Sequence, residues 1–385
     1  MLISLKLLTI PVIAGLRLVA RRGTTSPLCL DSIRSVVLVE MTGLGDAVTT
    51  ITLIRNLHDV LPQARIHLLV DQRFAALIGL LSNAATVHGV KCTRRPSGVW
   101  AAIRKVRQLD IDLACSVSPA HRNAAVVLSS RARFKAGYLR TGGSNAPSLR
   151  ANPLDGFGFI PHERLVFKEE SWLERRWKIL RLLGLVPGRT GARPALPDPV
   201  WRGGLAEWRR RGILNGRPHI VVHPFSGWHY RSWPIERYLD LIERVVKEWN
   251  LDVIVLCAKS EEEGLRPFRA RFGETNRVRC VASAELVESA VLVQTATALV
   301  GNDSGLVHLA AAIGTPAVGV YGPANPAHTA PEGVVPLYRK LDCSPCHQQK
   351  CVRREDPCMT HISVDEVYLA LREILTRHPS SRQER

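Results

Sequence analysis

The sequence predicts an α/β protein built from two doubly wound domains in tandem. Three observations carry this. An apolar run, Ser35-Val-Val-Leu-Val-Glu40, leads through a glycine turn and a helical stretch to a second apolar run, Arg65 to Val70. The same succession begins again at His219-Ile-Val-Val-His223 and continues through Asp252 to Cys257. Between the two lies Pro187 to Pro218, where prolines and glycines interrupt the periodic pattern. Short, continuously apolar runs are the mark of strands buried on both faces, as in parallel sheets covered by helices. A chain of 385 residues, 46% hydrophobic and 22% charged, accommodates two such cores.

In the first half, Thr42-Gly43-Leu44-Gly45-Asp46 forms the turn, and a helix runs from Ala47 to about Leu61, where Pro62 stops it. In the second half, Pro224 to Pro234 is a turn-rich loop, and Ile235 to Trp249 is helical with Tyr238, Leu241, Ile242 and Val245 on one face. The expected organisation is a basic-apolar segment at 1–33, a first domain at 34–190, a linker at 191–217, a second domain at 218–361, and a final helix and tail at 362–385. In the N-terminal segment, Lys6 and Arg17 bracket only Leu7 to Leu16, too short to span a bilayer. Arg17, Arg21 and Arg22 follow where a leader would carry its small-residue cleavage site. This leaves a peripheral helix on the inner membrane surface, or an apolar tail.

The net charge is +18, and the stretch from Lys91 to Arg150 holds twelve Lys or Arg against Asp110 and Asp112. Such a surface suits an anionic partner, a phosphate, an acidic glycolipid or an acidic membrane face. Arginine-rich composition is the alternative source of the excess. No RNP, zinc-finger or helix-turn-helix signature accompanies it, so nucleic acid is not expected. Cys29, Cys92, Cys115, Cys257 and Cys280 are scattered, as in a reducing compartment.

Three segments carry chemistry. Gly43 and Gly45 would let backbone amides approach a ligand. The turn fails as a dinucleotide fingerprint, because Val48 stands where a third small residue is required. Asp46 opens the helix at the carboxyl end of the first strand, where open α/β sheets bind ligands. It is either a helix-capping carboxylate or a general base facing the cleft between domains. The second segment runs from His223 through Ser226 and Arg231 to Trp233-Pro234, and it sets a cation just before a helix N-terminus, a seat for a diphosphate. The third is Gly301-Asn-Asp303-Ser304-Gly305-Leu-Val-His308, followed by Gly314-Thr-Pro316 and Tyr321-Gly322-Pro323. Asp303 or Ser304 would cap a short helix ended by Gly314 and Pro316, with His308 one turn beyond Ser304.

In this order and spacing, the three segments resemble glycosyltransferase family 9, the heptosyltransferases of lipopolysaccharide core assembly. The resemblance covers about residues 34–371. It implies the GT-B fold, two Rossmann-like domains facing across a cleft, the first for the acceptor and the second for the nucleotide-sugar donor, with Asp46 as the catalytic base. Arg231 falls where the family carries a phosphate-binding Lys. Ser226, Asp303, Ser304, Gly305 and His308 match donor-site positions, and Glu261 stands where a carboxylate for the donor nucleoside is expected. The implied reaction is an inverting, metal-independent transfer of a sugar, heptose from ADP-heptose, to a lipopolysaccharide-core or related anionic glycan. It would take place at the cytoplasmic face of the inner membrane, with no cofactor. One carboxylate would deprotonate the acceptor hydroxyl, while Arg231 and helix N-termini stabilise the departing diphosphate. A nucleotide-sugar epimerase of the same fold and a non-catalytic nucleotide-sugar binder are the alternatives.

Last comes Cys343-x2-Cys346-x4-Cys351-x6-Cys358, the spacing of a tetrahedral thiolate site suited to structural zinc or iron. Reduced thiols or local disulfides are the other readings. The cluster is expected to lie apart from all three donor segments. In the family's fold, the final helix, Val364 to Leu375, is expected to return toward the first domain.

Overall fold

The computed structural model describes residues 30–92, 96–118, 120–139, 159–161, 176–177, 181, 193–273, 275–283, 285–346 and 351–377. Residues 1–29 of the N-terminal segment expected at the membrane surface lie outside them, as does the basic stretch beyond residue 139. The chain divides into two compact units, Met1–Ala192 and Arg193–Arg385.

The first unit is a six-stranded parallel sheet made of β1 (Ser35–Glu40), β2 (Arg65–Asp71), β3 (Thr86–Val90), β4 (Leu113–Ser116), β5 (Phe134–Leu139) and β6 (Phe159–Pro161). Helices α1 (Leu44–Val60), α2 (Gln72–Leu81), α3 (Pro96–Arg107) and α4 (His121–Ser129) join successive strands. The strand order is β3-β2-β1-β4-β5-β6, the doubly wound order of dinucleotide-binding folds. All six residues of β1 are buried, since helices cover the sheet on both faces.

The second unit repeats the plan. Its strands are β7 (His219–His223), β8 (Asp252–Ala258), β9 (Val278–Ser283), β10 (Ala298–Asn302), β11 (Ala317–Tyr321) and β12 (Val334–Tyr338), in the order β12-β11-β10-β7-β8-β9. Read from β9, this is the same winding. Helix α5 (Asp198–Arg210) precedes β7. Then follow α6 (Ile235–Glu248), α7 (Arg266–Phe272), α8 (Leu286–Thr295), α9 (Gly305–Ile313), the short α10 (Pro326–Thr329) and α11 (Val364–Arg377). The expected face of α6, Tyr238, Leu241, Ile242 and Val245, is fully buried. Gly314 ends α9 in the left-handed conformation, φ 84°, which favours glycine.

One expectation is corrected. Residues 191–217, read as a linker, contain α5, which packs on α8 and seats Trp208 Nε1 3.1 Å from the Glu288 carbonyl. Gly204 lies inside that helix because a Cβ there would come within 2.6 Å of Val291. The final helix packs on α6, β10, β11 and β12 of the second unit. It buries Val367, Tyr368, Leu371 and Ile374 in that core, with Tyr368 stacked on Trp249 at 4.8 Å. At about 1.5–3 kcal/mol for each fully buried side chain of this kind, the apolar face of the helix decides where it lies.

Candidate functional site

In a doubly wound sheet, neighbouring strands whose connections leave in opposite directions open a crevice at their carboxyl ends. Each unit has one such switch point, between β1 and β4 in the first and between β7 and β10 in the second. The three predicted segments leave these strands.

In the first unit, Gly43 is the N-cap of α1, with φ −127° and ψ 168°, so no left-handed backbone demands glycine there. A Cβ would stand 3.8 Å from Asp46 Oδ2. Gly45 and Asp46 fall in the first turn, where the positive end of the helix favours a carboxylate. Two side chains grip Asp46. Thr42 Oγ1 lies 2.7 Å from Oδ2, and Arg176 Nη2 donates to Oδ1 at 2.8 Å. The Asp46 side chain is 35% exposed, whereas that of Arg176 is 1% exposed. The carboxylate therefore faces outward from a buried guanidinium.

Behind Asp46 stands Glu40, the last residue of β1, with its side chain wholly buried. Its Oε1 accepts from the Thr42 N–H at 3.1 Å and the Ser118 hydroxyl at 3.3 Å, and it also contacts Thr42 Oγ1. Its Oε2 lies 3.6 Å from Arg176 Nη2. Burial, then the charge of Asp46, push the Glu40 carboxyl above the ordinary carboxylate range, against the pull of Arg176 and Thr42. Sequence reading passed over Glu40, Thr42 and Arg176. An acid closing an otherwise apolar strand was a usable signal for Glu40. For Arg176, separated from Asp46 by 130 positions, no local signal exists.

In the second unit, Gly301 lets β10 lie close to β7, since a Cβ would meet the His223 carbonyl at 3.0 Å. Asn302, fully buried, then ties the loop after β7 to the end of β10. Its Nδ2 donates to the Pro224 carbonyl at 2.7 Å, and its Oδ1 accepts from the Trp233 N–H at 2.9 Å and the Tyr238 hydroxyl at 3.0 Å. Asn302 is a further residue that sequence reading left without a role.

The clamp brings the second and third segments together, with Arg231 Nη1 3.4 Å from Asp303 Oδ2. Ser304 is the N-cap of α9, but its side chain does not cap. Its Oγ is buried without a hydrogen-bond partner among the described residues, as is the hydroxyl of Tyr321 at the end of β11. Burial, together with the nearby Asp303 charge, raises the Tyr321 phenol's pKa. Gly305 begins α9, and the His308 N–H faces the Ser304 carbonyl at 3.4 Å. A cation, a helix N-terminus and buried hydroxyls thus meet at one switch point, which is the chemistry of an anion seat.

Two predicted residues are engaged elsewhere. The Ser226 hydroxyl closes a turn on Trp228, donating to its carbonyl at 2.7 Å and accepting from its N–H at 3.2 Å. It shapes the loop. Glu261 accepts from the Ala258 N–H at 3.0 Å and caps the turn after β8 at the carboxyl edge of the sheet. Its neighbours Glu262 and Glu263 are held in surface ion pairs with Lys259 and Arg266.

Cys343, Cys346, Cys351 and Cys358 line one pocket of about 100 Å³ together with Tyr230, Pro323 and Arg353. All four are free thiols. Among the described residues no group of three or more His, Cys, Asp or Glu is arranged to hold a metal ion. The donor type suits zinc or iron, but the four thiols border the pocket without closing into a coordination shell. The Cys358 thiol is pushed up to about 11, first by burial and then by the other three cysteines. The expected separation from the donor segments is corrected. Tyr230 precedes Arg231, the Cys346 N–H donates to the Pro323 carbonyl at 3.0 Å, and a Cβ on Gly322 would lie 2.9 Å from Cys358 Sγ. Among the described residues, no helix is long and apolar enough to cross a membrane.

Comparison with known proteins gives these features a context. The family model described as glycosyltransferase family 9 (heptosyltransferase) matches residues 203–360, within the second unit. The similarity to curated proteins extends across both units. The chain is 22% identical over 326 residues to the lipopolysaccharide core heptosyltransferase OpsX of Haemophilus influenzae, covering 82% of this chain and 87% of that protein. It is 24% identical over 366 residues to lipopolysaccharide heptosyltransferase 1 of Pseudomonas aeruginosa, covering 88% and 98%. The solved structure of the Escherichia coli ADP-heptose lipopolysaccharide heptosyltransferase II superposes with a TM-score of 0.67 at 18% identity, over 89% of this chain and 99% of that one. The GT-B fold is common to both.

Proposed function

We propose that this chain, which belongs to glycosyltransferase family 9, transfers heptose from ADP-heptose to a lipopolysaccharide-core or related anionic glycan, with inversion at the anomeric carbon. One observation carries the reading. Two sheets of identical winding present complementary chemistry at their switch points, a gripped, partly exposed carboxylate at Asp46 and an anion seat built from Arg231, Ser304 and the start of α9. Displacement of a nucleoside diphosphate from a sugar needs both.

Asp46 accepts the proton of the acceptor hydroxyl as that oxygen attacks the anomeric carbon. Arg176 and Thr42 hold its oxygens, so it has little freedom to turn away. As the glycosidic bond to the diphosphate breaks, charge grows on the phosphate oxygens. Arg231, beside Asp303, meets it with a planar guanidinium fork. The N–H groups at the start of α9 add a fixed positive end. The reaction proceeds through these groups without a metal, and the cysteine pocket is structural. Similarity to lipopolysaccharide heptosyltransferases over most of both units supports this donor and acceptor. The basic stretch from Lys91 to Arg150 favours an anionic acceptor, and a reaction at the cytoplasmic face of the inner membrane suits the basic-apolar N-terminal segment.

The test is a donor screen. Purified protein is mixed with ADP-heptose and a panel of other ADP-, GDP- and UDP-sugars, with and without lipopolysaccharide-core acceptor, and nucleoside diphosphate release is followed. Acceptor-dependent release from ADP-heptose above the others supports the reading. Release from a different nucleotide sugar alone, or from none, refutes it.

A further inference from the structure

We infer that Glu40 carries a proton in the resting enzyme and, through the Thr42 hydroxyl, shares it with Asp46, so that the negative charge of the pair rests on the exposed carboxylate. Glu40 is thus a positioning residue, and the inference rests on the reading of Asp46 as the base.

The argument is a count of hydrogens. Thr42 Oγ1 lies within hydrogen-bonding distance of both Glu40 Oε1 and Asp46 Oδ2. A hydroxyl has one proton to donate. If both carboxyls were ionised, one of these two contacts would set a lone pair against a lone pair. One carboxyl must therefore be protonated and donate to Thr42, which then donates to the other.

Burial selects which. The Glu40 side chain is fully enclosed, while that of Asp46 is 35% exposed and has the shorter contact with Arg176, 2.8 Å against 3.6 Å. An ionised carboxylate is costly where water is excluded. The chain of bonds then runs from Glu40 O–H to Thr42 Oγ1 and from Thr42 O–H to Asp46 Oδ2. The described groups that face Glu40 fit this arrangement, and the nearby Cys92 thiol, pushed up to about 11 chiefly by burial, brings no charge. The Thr42 N–H and the Ser118 hydroxyl point at Oε1, which keeps lone pairs when protonated. The Asn123 amide lies at 3.5 Å and is engaged with the Ser118 hydroxyl at 2.8 Å. Arg176 faces Oε2 as a carbonyl oxygen, and one cation balances one anion. The direction of the Glu40 shift agrees.

Glu40→Gln separates this from a structural role or an ionised Glu40. The amide keeps a donor for Thr42 and cannot ionise. Its kcat with ADP-heptose and core acceptor should remain within about threefold of wild type, whereas Thr42→Val should lower kcat by roughly tenfold or more and spare the donor KM. The wild-type pH profile should show two coupled ionisations of the pair, one below and one above the working range, and that of Glu40→Gln only the lower one.

A second measurement needs no turnover. A carboxyl whose folded pKa lies above its unfolded value binds more protons in the folded chain, so wild-type stability falls as pH rises from the unfolded toward the folded pKa. Glu40→Gln lacks this loss. It should melt no lower than wild type at pH 8, with the difference in its favour growing as pH rises from 5. A variant that melts lower at pH 8 and loses about 100-fold or more in kcat would show that Glu40 works as an anion and overturn the inference. Asp46→Asn serves as the control. If it turns over normally, the assignment of the base fails. If it is inactive while Glu40→Gln behaves as an anion loss, only the shared proton fails.

Discussion

The two units have one winding and opposite chemistry. After β1 the chain enters its helix within three residues, Met41 to Gly43, and the crevice collects acids, Glu40 and Asp46, around a buried arginine. After β7 an eleven-residue loop, 224–234, intervenes before α6, and the crevice collects Arg231, small residues and a helix start. The scaffold dictates where a ligand can sit, and the connection leaving the strand dictates which charge it meets. A short connection puts first-turn side chains at the strand end. A long one reaches over it and must be pinned, which is the work of Asn302.

The comparison breaks most visibly at Asp46. Asp46→Asn removes the proton acceptor and should lower kcat by a factor of about 100 or more, with calorimetric affinity for ADP nearly unchanged. Normal turnover would make Asp46 a structural partner of Arg176 and nothing more. The opposite pattern belongs to Arg231. Arg231→Ala removes a charge-assisted contact of roughly 1.5–3 kcal/mol and should weaken ADP and ADP-heptose by about ten- to a hundredfold, with Arg231→Lys retaining much of the binding. An alanine variant that binds ADP like wild type places the guanidinium outside the donor seat.

Smaller effects sharpen the division. Reversing several charges between Lys91 and Arg150 should raise the acceptor KM severalfold and leave the donor KM alone, the difference shrinking with added salt. A change confined to the donor KM would contradict the assignment of the acceptor to the first unit. The smallest effect on chemistry is expected from the cysteine pocket. A structural zinc or iron would appear as about one equivalent per chain by elemental analysis, and Cys346→Ser would lower the melting temperature with little change in kcat. Four alkylatable thiols in native, metal-free protein would exclude that role. Because Tyr230 and Pro323 share the pocket, a loss of ADP affinity on Cys346→Ser would show that the cluster steadies the Arg231 loop.

What the sequence disclosed follows from periodicity. The β1 and β7 runs, the buried face of α6 and the Gly314 stop are local patterns, and the structure reproduces them. Asp46, Arg231 and the 303–308 segment were legible because turn chemistry marks them. The partners were not. Arg176 reaches Asp46 by a tertiary path, and Asn302 sat unremarked between a glycine and an aspartate. Helix α5 was hidden because Pro199 at its start and Gly203 and Gly204 within it read as a break, although an initial proline fits a helix and Gly204 admits Val291. The cysteine pocket meets Tyr230 through folding, which no spacing within 343–358 could reveal.

The docking of α11 on its own unit bears on how the protein is made. Val367, Tyr368, Ala370, Leu371 and Ile374 belong to the same core as Trp233, Tyr238 and Val255, so the earlier part of the second unit emerges from the ribosome with the strip of that core beside α6 uncovered. The first unit closes a sheet of its own much earlier in synthesis. A ribosome that stalls before Val364 therefore leaves a chain whose first half can be finished and whose second half presents a wet apolar strip where α11 would lie, the form that chaperones and proteases recognise.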